Sequence, residues 1–375
     1  MSKRGHPIAS PRTRTDTFVP PYPPSWFDRF TDWVDRLPGP AWAFYLIFGA
    51  LVVLAESAIQ WKEGAYPVGT FNPLTVWVVG NFAYLLGLMH LLDKSAASAI
   101  ESFRPLLTST KSGAIPSLHD QSAFATLSHQ ITTLPARPAL MVTLAGAAFA
   151  VFVSVLQTAA GVVPAPLAGT AGTTLSTVSV MVVFIPTNAM SFLLAYHTMH
   201  QLVRISRIYT HHARINIYQL QPLYALSLPG AFTAIGIILF SYAWAATTAS
   251  ASVPAGVLEI GLMVVFAAIA GATFALPLLG AHRRLVAEKN RLLAEASSRF
   301  EAAIQDLHRQ LDGPGRRPTN DPNKALAGIE IEQNALRRIP TWPWQPGAVR
   351  GLVAALLLPV AVWAIQLLLG RFFAT

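Results

Sequence analysis

Seven apolar runs, at 41–60, 73–92, 139–162, 176–203, 231–248, 255–279 and 347–370, constrain this 375-residue chain more than any other feature. Each is close to the ~20 residues that cross a hydrocarbon core as an α-helix. Lipid offers no water to the backbone, so a run of this length must satisfy its own N–H and C=O groups by forming a helix. No strand alternation separates the runs. The expected fold is all-α: a polytopic membrane protein with seven transmembrane helices. Only 12% of the residues are charged, about half the ~25% of a soluble domain.

A net charge of +9 would suit nucleic acid in a soluble protein, but its placement here argues otherwise. With a cytoplasmic N-terminus, the inside segments are 1–40, 93–138, 204–230 and 280–346. Together with Arg350 they hold 25 of the 27 Lys and Arg, leaving only Lys62 and Arg371 outside. Cationic side chains are retained on the cytoplasmic side. The count therefore predicts an N-terminus inside, a C-terminus outside and no nucleic-acid partner. The lipid bilayer is the expected partner, in the cell membrane, and Arg over Lys usage suits a prokaryotic inner membrane.

The chain has no cysteine, which excludes disulfides, thiolate catalysis and iron–sulfur ligation. No P-loop, nucleophile elbow or HExxH is present. No enzyme activity, cofactor or metal is expected.

Residues 1–22 read as a disordered tail and 23–38 as an amphipathic interfacial helix. In the latter Trp26, Phe27, Phe30, Trp33, Val34 and Leu37 recur at helical spacing, and Ser25 with Asp28 forms a capping-box pattern. Transmembrane helices 1–6 occupy 39–280. A cytoplasmic extension (281–311), a linker (312–322) and a short cytoplasmic helix (323–339) follow. A Trp/Pro junction and the seventh transmembrane helix fill 340–375. Span two continues inward with Ala96, Ala97, Ile100, Phe103 and Leu106 on one side. In the extension of span six, Leu293, Ala296, Phe300, Ala303 and Leu307 form a stripe that must be covered. Its expected partners are the extensions of spans two and four, or a second subunit.

Several residues could carry function. Glu56 and Glu259 lie near the outer surface and either attract cations, bind a ligand or form a solvated rim. Asn81, Gln157, Asn188 and Gln366 can join helices by hydrogen bonds. His197 and His200 stand three apart on span four, with His90 on span two. Such a pair can hold a metal or share a haem, yet no carboxylate partner is evident nearby in sequence. The stretch "RIPTWPWQPG" contains Trp342, Pro343, Trp344 and Pro346; it serves as an interfacial anchor or as a stiff coupler into the last span. In that span Ala355, Pro359, Val362, Gln366 and Phe373 share a face. A channel lined by it would place a hydrophobic constriction beside a polar ring; otherwise it is an ordinary helix with one buried glutamine.

The order of elements resembles the insect odorant and gustatory receptor superfamily: an amphipathic helix, seven spans, long inward extensions and a separate cytoplasmic helix before the last span. The family's last-helix motif is Thr-Tyr, five hydrophobic residues, then Gln-Phe. Here "PVAVWAIQL" matches its hydrophobic run and Gln366, but carries Pro359-Val360 and Leu367 at the other positions. The resemblance implies a homotetrameric, ligand-gated cation channel anchored by its cytoplasmic helices. It implies that Pro359, Val362, Gln366 and Leu369 line the pore. It also implies a small-molecule pocket in the outer half, where Glu56, Asn81, Gln157, Tyr242, Trp244 and Glu259 fall. A non-conducting sensor or scaffold, or a small-solute transporter, is the alternative.

Overall fold

The amphipathic segment folds as α1 (Trp26–Asp35), and its start is chemically defined. The Ser25 hydroxyl accepts from the Asp28 N–H, while the Asp28 carboxylate accepts from the Ser25 N–H at 2.7 Å. These bonds satisfy two donors that the first helical turn cannot pair internally. The helix buries Phe27 and Val34 against the protein. Asp28 also accepts from the Leu134 N–H at 3.2 Å, and the Trp26 indole donates to Thr143.

This computed structural model describes residues 18–107, 118–159, 174–212, 217–218, 220–250, 257–312 and 322–373. The remaining elements are α2 (Ala41–Lys62), α3 (Pro73–Leu107), α4 (Leu118–Thr132), α5 (Ala136–Ala159) and α6 (Thr174–Arg207). After them come α7 (Gln221–Ala225), α8 (Leu228–Ser250), α9 (Val257–Ala275), α10 (Leu279–Asp312), α11 (Pro322–Arg338) and α12 (Pro346–Phe373). A π turn, Ile208–His212, ends α6, and a 3-10 turn, Leu276–Leu278, joins α9 to α10. The fold is all-helical, and among the described residues six helical stretches are long and apolar enough to cross a membrane. They lie in α2, α3, α5, α6, α7–α8 and α9–α10. The first thirteen residues of α12, Pro346–Leu358, form a shorter apolar helix.

α3 and α6 run side by side in the same direction. The Thr187 hydroxyl donates to Val78 O near one end, and His197 meets Asp93 near the other. Pro186 leaves the Val182 carbonyl without its helical donor; in the same turn the Thr187 hydroxyl is shared between the Val183 and Val78 carbonyls, and the Asn188 amide donates to the Phe184 carbonyl. α5 packs closely on α6 because Gly146 lacks a side chain; a Cβ there would sit 2.9 Å from the Ala189 Cα.

One hydrophobic cluster joins the C-terminal ends of α3 and α6 to the start of α10. Ala96, Ala99, Ile100 and Phe103 of α3 meet Ile205, Ile208 and Tyr209, together with Leu278, Ala281 and Leu285. Ala97, expected on that stripe, is exposed, and Ala99 takes its place. The stripe of α10 finds its main cover in α11 of the same chain: Ala296 and Leu336 are fully buried, and Arg299 pairs with Glu332 at 3.4 Å. Only the base of α10 reaches the extension of α6, where Arg284 donates to the Tyr209 carbonyl at 2.7 Å.

Two further features depart from expectation. α4 forms a helix that apolar periodicity does not announce; it is held by the Arg104 guanidinium over the Phe124 ring and by an Arg204–Gln130 bond. Of the tail expected to be disordered, 1–17 lie outside the described residues. Tyr22, however, is seated: its hydroxyl donates to Thr133 O at 3.0 Å, and a His129 ring nitrogen meets Tyr22 O at the same distance.

Candidate functional site

The Trp/Pro junction is built as a ladder of flat rings. Phe274, at the end of α9, stacks on Trp344 at 5.8 Å and 4°. Trp344 stacks on Trp342 at 4.8 Å and 9°. Trp342 in turn covers His282 of α10 at 4.1 Å and 15°. The alternation of Trp and Pro stiffens the connector, because each proline fixes its own φ. Pro343, between them, is buried. His282 Nδ1 lies 3.0 Å from Thr341 O, and the Gln345 N–H donates to the Ser227 hydroxyl. Just upstream, Lys289 Nζ donates to the Arg337 and Ile339 carbonyls at 2.7 and 2.8 Å, closing the exposed C-terminus of α11. The junction is thus clamped to α8, α9 and α10, and Pro346 opens α12 at its first turn.

α12 is covered on one side. Ala348 and Ala355 are buried in the cluster shared with α8, and Leu352 packs against it. Near Pro359 the Tyr242 hydroxyl donates to the Leu356 carbonyl at 3.2 Å. Pro359 has no N–H for the Ala355 carbonyl, and this hydroxyl adds a bond from α8 at the neighbouring carbonyl of the same turn. The rest of the helix surface is open: Val353, Leu356 and Leu358 are exposed, and so are Arg350, Ala354, Leu357 and Ala361, which follow one another at spacings of four, three and four on the side away from α8. Ala355, which shares a face with Pro359, Val362 and Gln366 by sequence, is on the covered side in the first half of α12. The side chains of Pro359, Val362, Gln366 and Leu369 lie outside the described residues, although their backbone is helical.

The residues expected around an outer pocket are carried by α2, α3, α5, α8 and α9. Glu56 and Asn81 are buried in α2 and α3. Tyr242 staples α12, Trp244 is half-buried on α8, and the side chains of Gln157 and Glu259 lie outside the described residues. A cavity of about 380 Å³ opens elsewhere, between α3, α6, α8 and α9. Leu88, Leu194, Met199, Phe240 and Phe266 line it, and Glu56, Asn81, Tyr242 and Trp244 do not. Four of its hydroxyls are engaged already: Tyr84 donates to Gly236 O, Ser191 to Thr187 O, Thr233 to Pro229 O and Thr273 to Ala270 O. The cavity is therefore apolar in effect, suited to a small uncharged molecule.

A third cluster lies beneath α1. His197 Nε2 is 2.8 Å from Asp93 Oδ1. His90 Nδ1 is 2.8 Å from the Tyr45 hydroxyl, and its Nε2 is 3.2 Å from Asp35. Lys94 also pairs with Asp35 at 2.6 Å and, together with His90, holds that carboxyl below its ordinary range against the opposing effect of burial. Burial pushes the Asp28 carboxyl up to about 6. The carboxylate partners of the histidines, missing from local sequence, come from 104 and 55 positions away. Among the described residues no three such side chains gather as a metal site would require. The chain matches no protein-family model, no curated protein and no solved structure.

Proposed function

We propose that the protein is an oligomeric ion channel of the cell membrane, with α12 of each subunit lining a shared axis. The observation that carries this reading is the open stripe of α12, in which a cation, Arg350, shares a face with Ala354, Leu357 and Ala361. An arginine this close to a helix end can reach lipid headgroups, and on the axis of an oligomer the same side chain would line the pore wall. The other side of α12 is taken by α8, and its start is clamped to the cytoplasmic α10–α11 pair. That arrangement gives the helix a fixed seat and a free face. In this reading α12 is a seventh span, the N-terminus lies inside and the C-terminus outside. The cytoplasmic helices hold the subunits together, four being the number that the family resemblance implies. The stripe's own apolar narrowing is Leu357; Val362 and Gln366, which the family resemblance would put at the constriction with Leu369, continue by spacing the face of Ala355 that packs on α8.

A small apolar ligand in the cavity between α3, α6, α8 and α9 would bias the packing of the helices that carry the junction. Purified protein in planar bilayers tests the reading directly. Unitary currents whose conductance changes in Leu357→Ala are expected, and native mass spectrometry should give a homo-oligomer. A stable monomer in mild detergent with no currents would sink the channel. Ala195→Trp, which fills the cavity, should leave conductance intact and remove any modulation by apolar molecules.

A further inference from the structure

The same stripe has an electrostatic consequence. Arg350 is two residues past Ala348 and five before Ala355, both buried toward α8. At about 100° per residue, it stands roughly opposite them on the helix. It lies four residues inside α12, about 6 Å along the axis from Pro346, and has no carboxylate partner among the described residues. The approach from the cytoplasmic side is cationic too. Arg337 and Arg338 end α11, both exposed and without a carboxylate partner among the described residues. The nearest preceding carboxylate in α11, Glu332, is taken up by Arg299.

We propose that Arg350 is the selectivity-determining residue of the conduction path, favouring small inorganic anions such as chloride over cations. The inference rests on the channel reading above: the open face of α12 must border the axis. Repeated in each subunit, Arg350 forms a ring of positive charge at the inner mouth. Such a ring, in a narrow passage with low-dielectric walls, concentrates anions and repels cations. Ala354, Leu357 and Ala361 above it offer no compensating negative charge. Cation selectivity, which the family resemblance implies, would need a carboxylate or carbonyl ring that this stripe lacks in its described portion.

The experiment is a reversal-potential measurement on reconstituted protein in a KCl gradient. Wild type should prefer chloride over potassium by on the order of tenfold. Arg350→Gln should lose most of that preference, and Arg350→Lys, which keeps the charge, should retain it. Both variants should elute as the wild-type oligomer, which separates lost selectivity from lost folding. Cation-selective currents in the wild type would overturn the inference and leave the channel standing. So would an anion preference unchanged in Arg350→Gln, which would put the side chain in the lipid headgroups. Absence of any current from correctly assembled wild type would remove the channel reading, and this inference with it.

Discussion

Trp342 lies flat on the imidazole of His282, their ring centroids 4.1 Å apart and 15° from parallel. This contact joins the last connector of the chain to the base of α10, and two more stacked rings extend it to α9. Each stacked pair contributes about 0.5–1.5 kcal/mol beyond its buried area. Trp342→Ala removes the middle of the ladder and should cost about 2–3 kcal/mol, read as a lower melting temperature in detergent. Trp342→Phe should recover most of the loss, because the stack needs a flat ring more than an indole. Equal loss in both variants would refute the ladder.

Asp28 gives the protein a predictable pH dependence. Its carboxyl is raised from 3.8 to about 6, chiefly by burial, with its hydrogen bonds from Ser25 and Leu134 opposing the shift. Between those two values the folded chain holds a proton that the unfolded chain has released. The stabilisation that this proton provides is complete below pH 3.8 and is lost as pH rises through 6. The full span corresponds to about 3 kcal/mol as an order of magnitude. Melting temperature between pH 4 and 8 should fall through this window in the wild type. In Asp28→Asn the slope should flatten, since the amide does not titrate there. An unchanged slope would show that other groups dominate.

Gly146 is required by distance. A Cβ at this position would meet the Ala189 Cα and Phe192 Cβ at 2.9 Å and the Asn188 carbonyl at 3.0 Å. Two of these neighbours are backbone atoms and cannot rotate away, so α5 and α6 must separate. Gly146→Ala should destabilise by about 1–3 kcal/mol. Gly351→Ala is the control: its Cβ would meet only the end of the Ile235 side chain at 3.4 Å, and thermal melting should be nearly unchanged.

His197 is buried beside Asp93, which is itself only partly exposed. Removing one partner of such a pair strands the other, at a cost of about 3–5 kcal/mol. His197→Ala should reduce the yield of monodisperse protein sharply. Combining it with Asp93→Asn should restore part of the stability, because the stranded charge is then gone. A double variant no better than the single one would mean that the contact contributes little.

The cap of α1 was legible in the sequence, because Ser25 and Asp28 are three residues apart and their hydrogen bonds are local. Most of the apolar runs were legible too, since a backbone in lipid has hardly any choice but a helix. The first-turn proline of α12 belongs to the same class of local signal. Partnership was not legible. The repeat of Leu293 and Ala296 says that α10 has a face to cover, yet nothing in that spacing names Leu336 of α11 as part of the cover. The carboxylates beside His90 and His197 are distant in sequence and close in space. In α12, periodicity put Ala355 and Gln366 on one face and suggested a pore wall. Packing on α8 covers Ala355 and leaves the Arg350 stripe open instead. Local chemistry dictates where a helix begins and which residues share a side. Which side is covered depends on long-range packing among helices, because every apolar face competes for the same few neighbours.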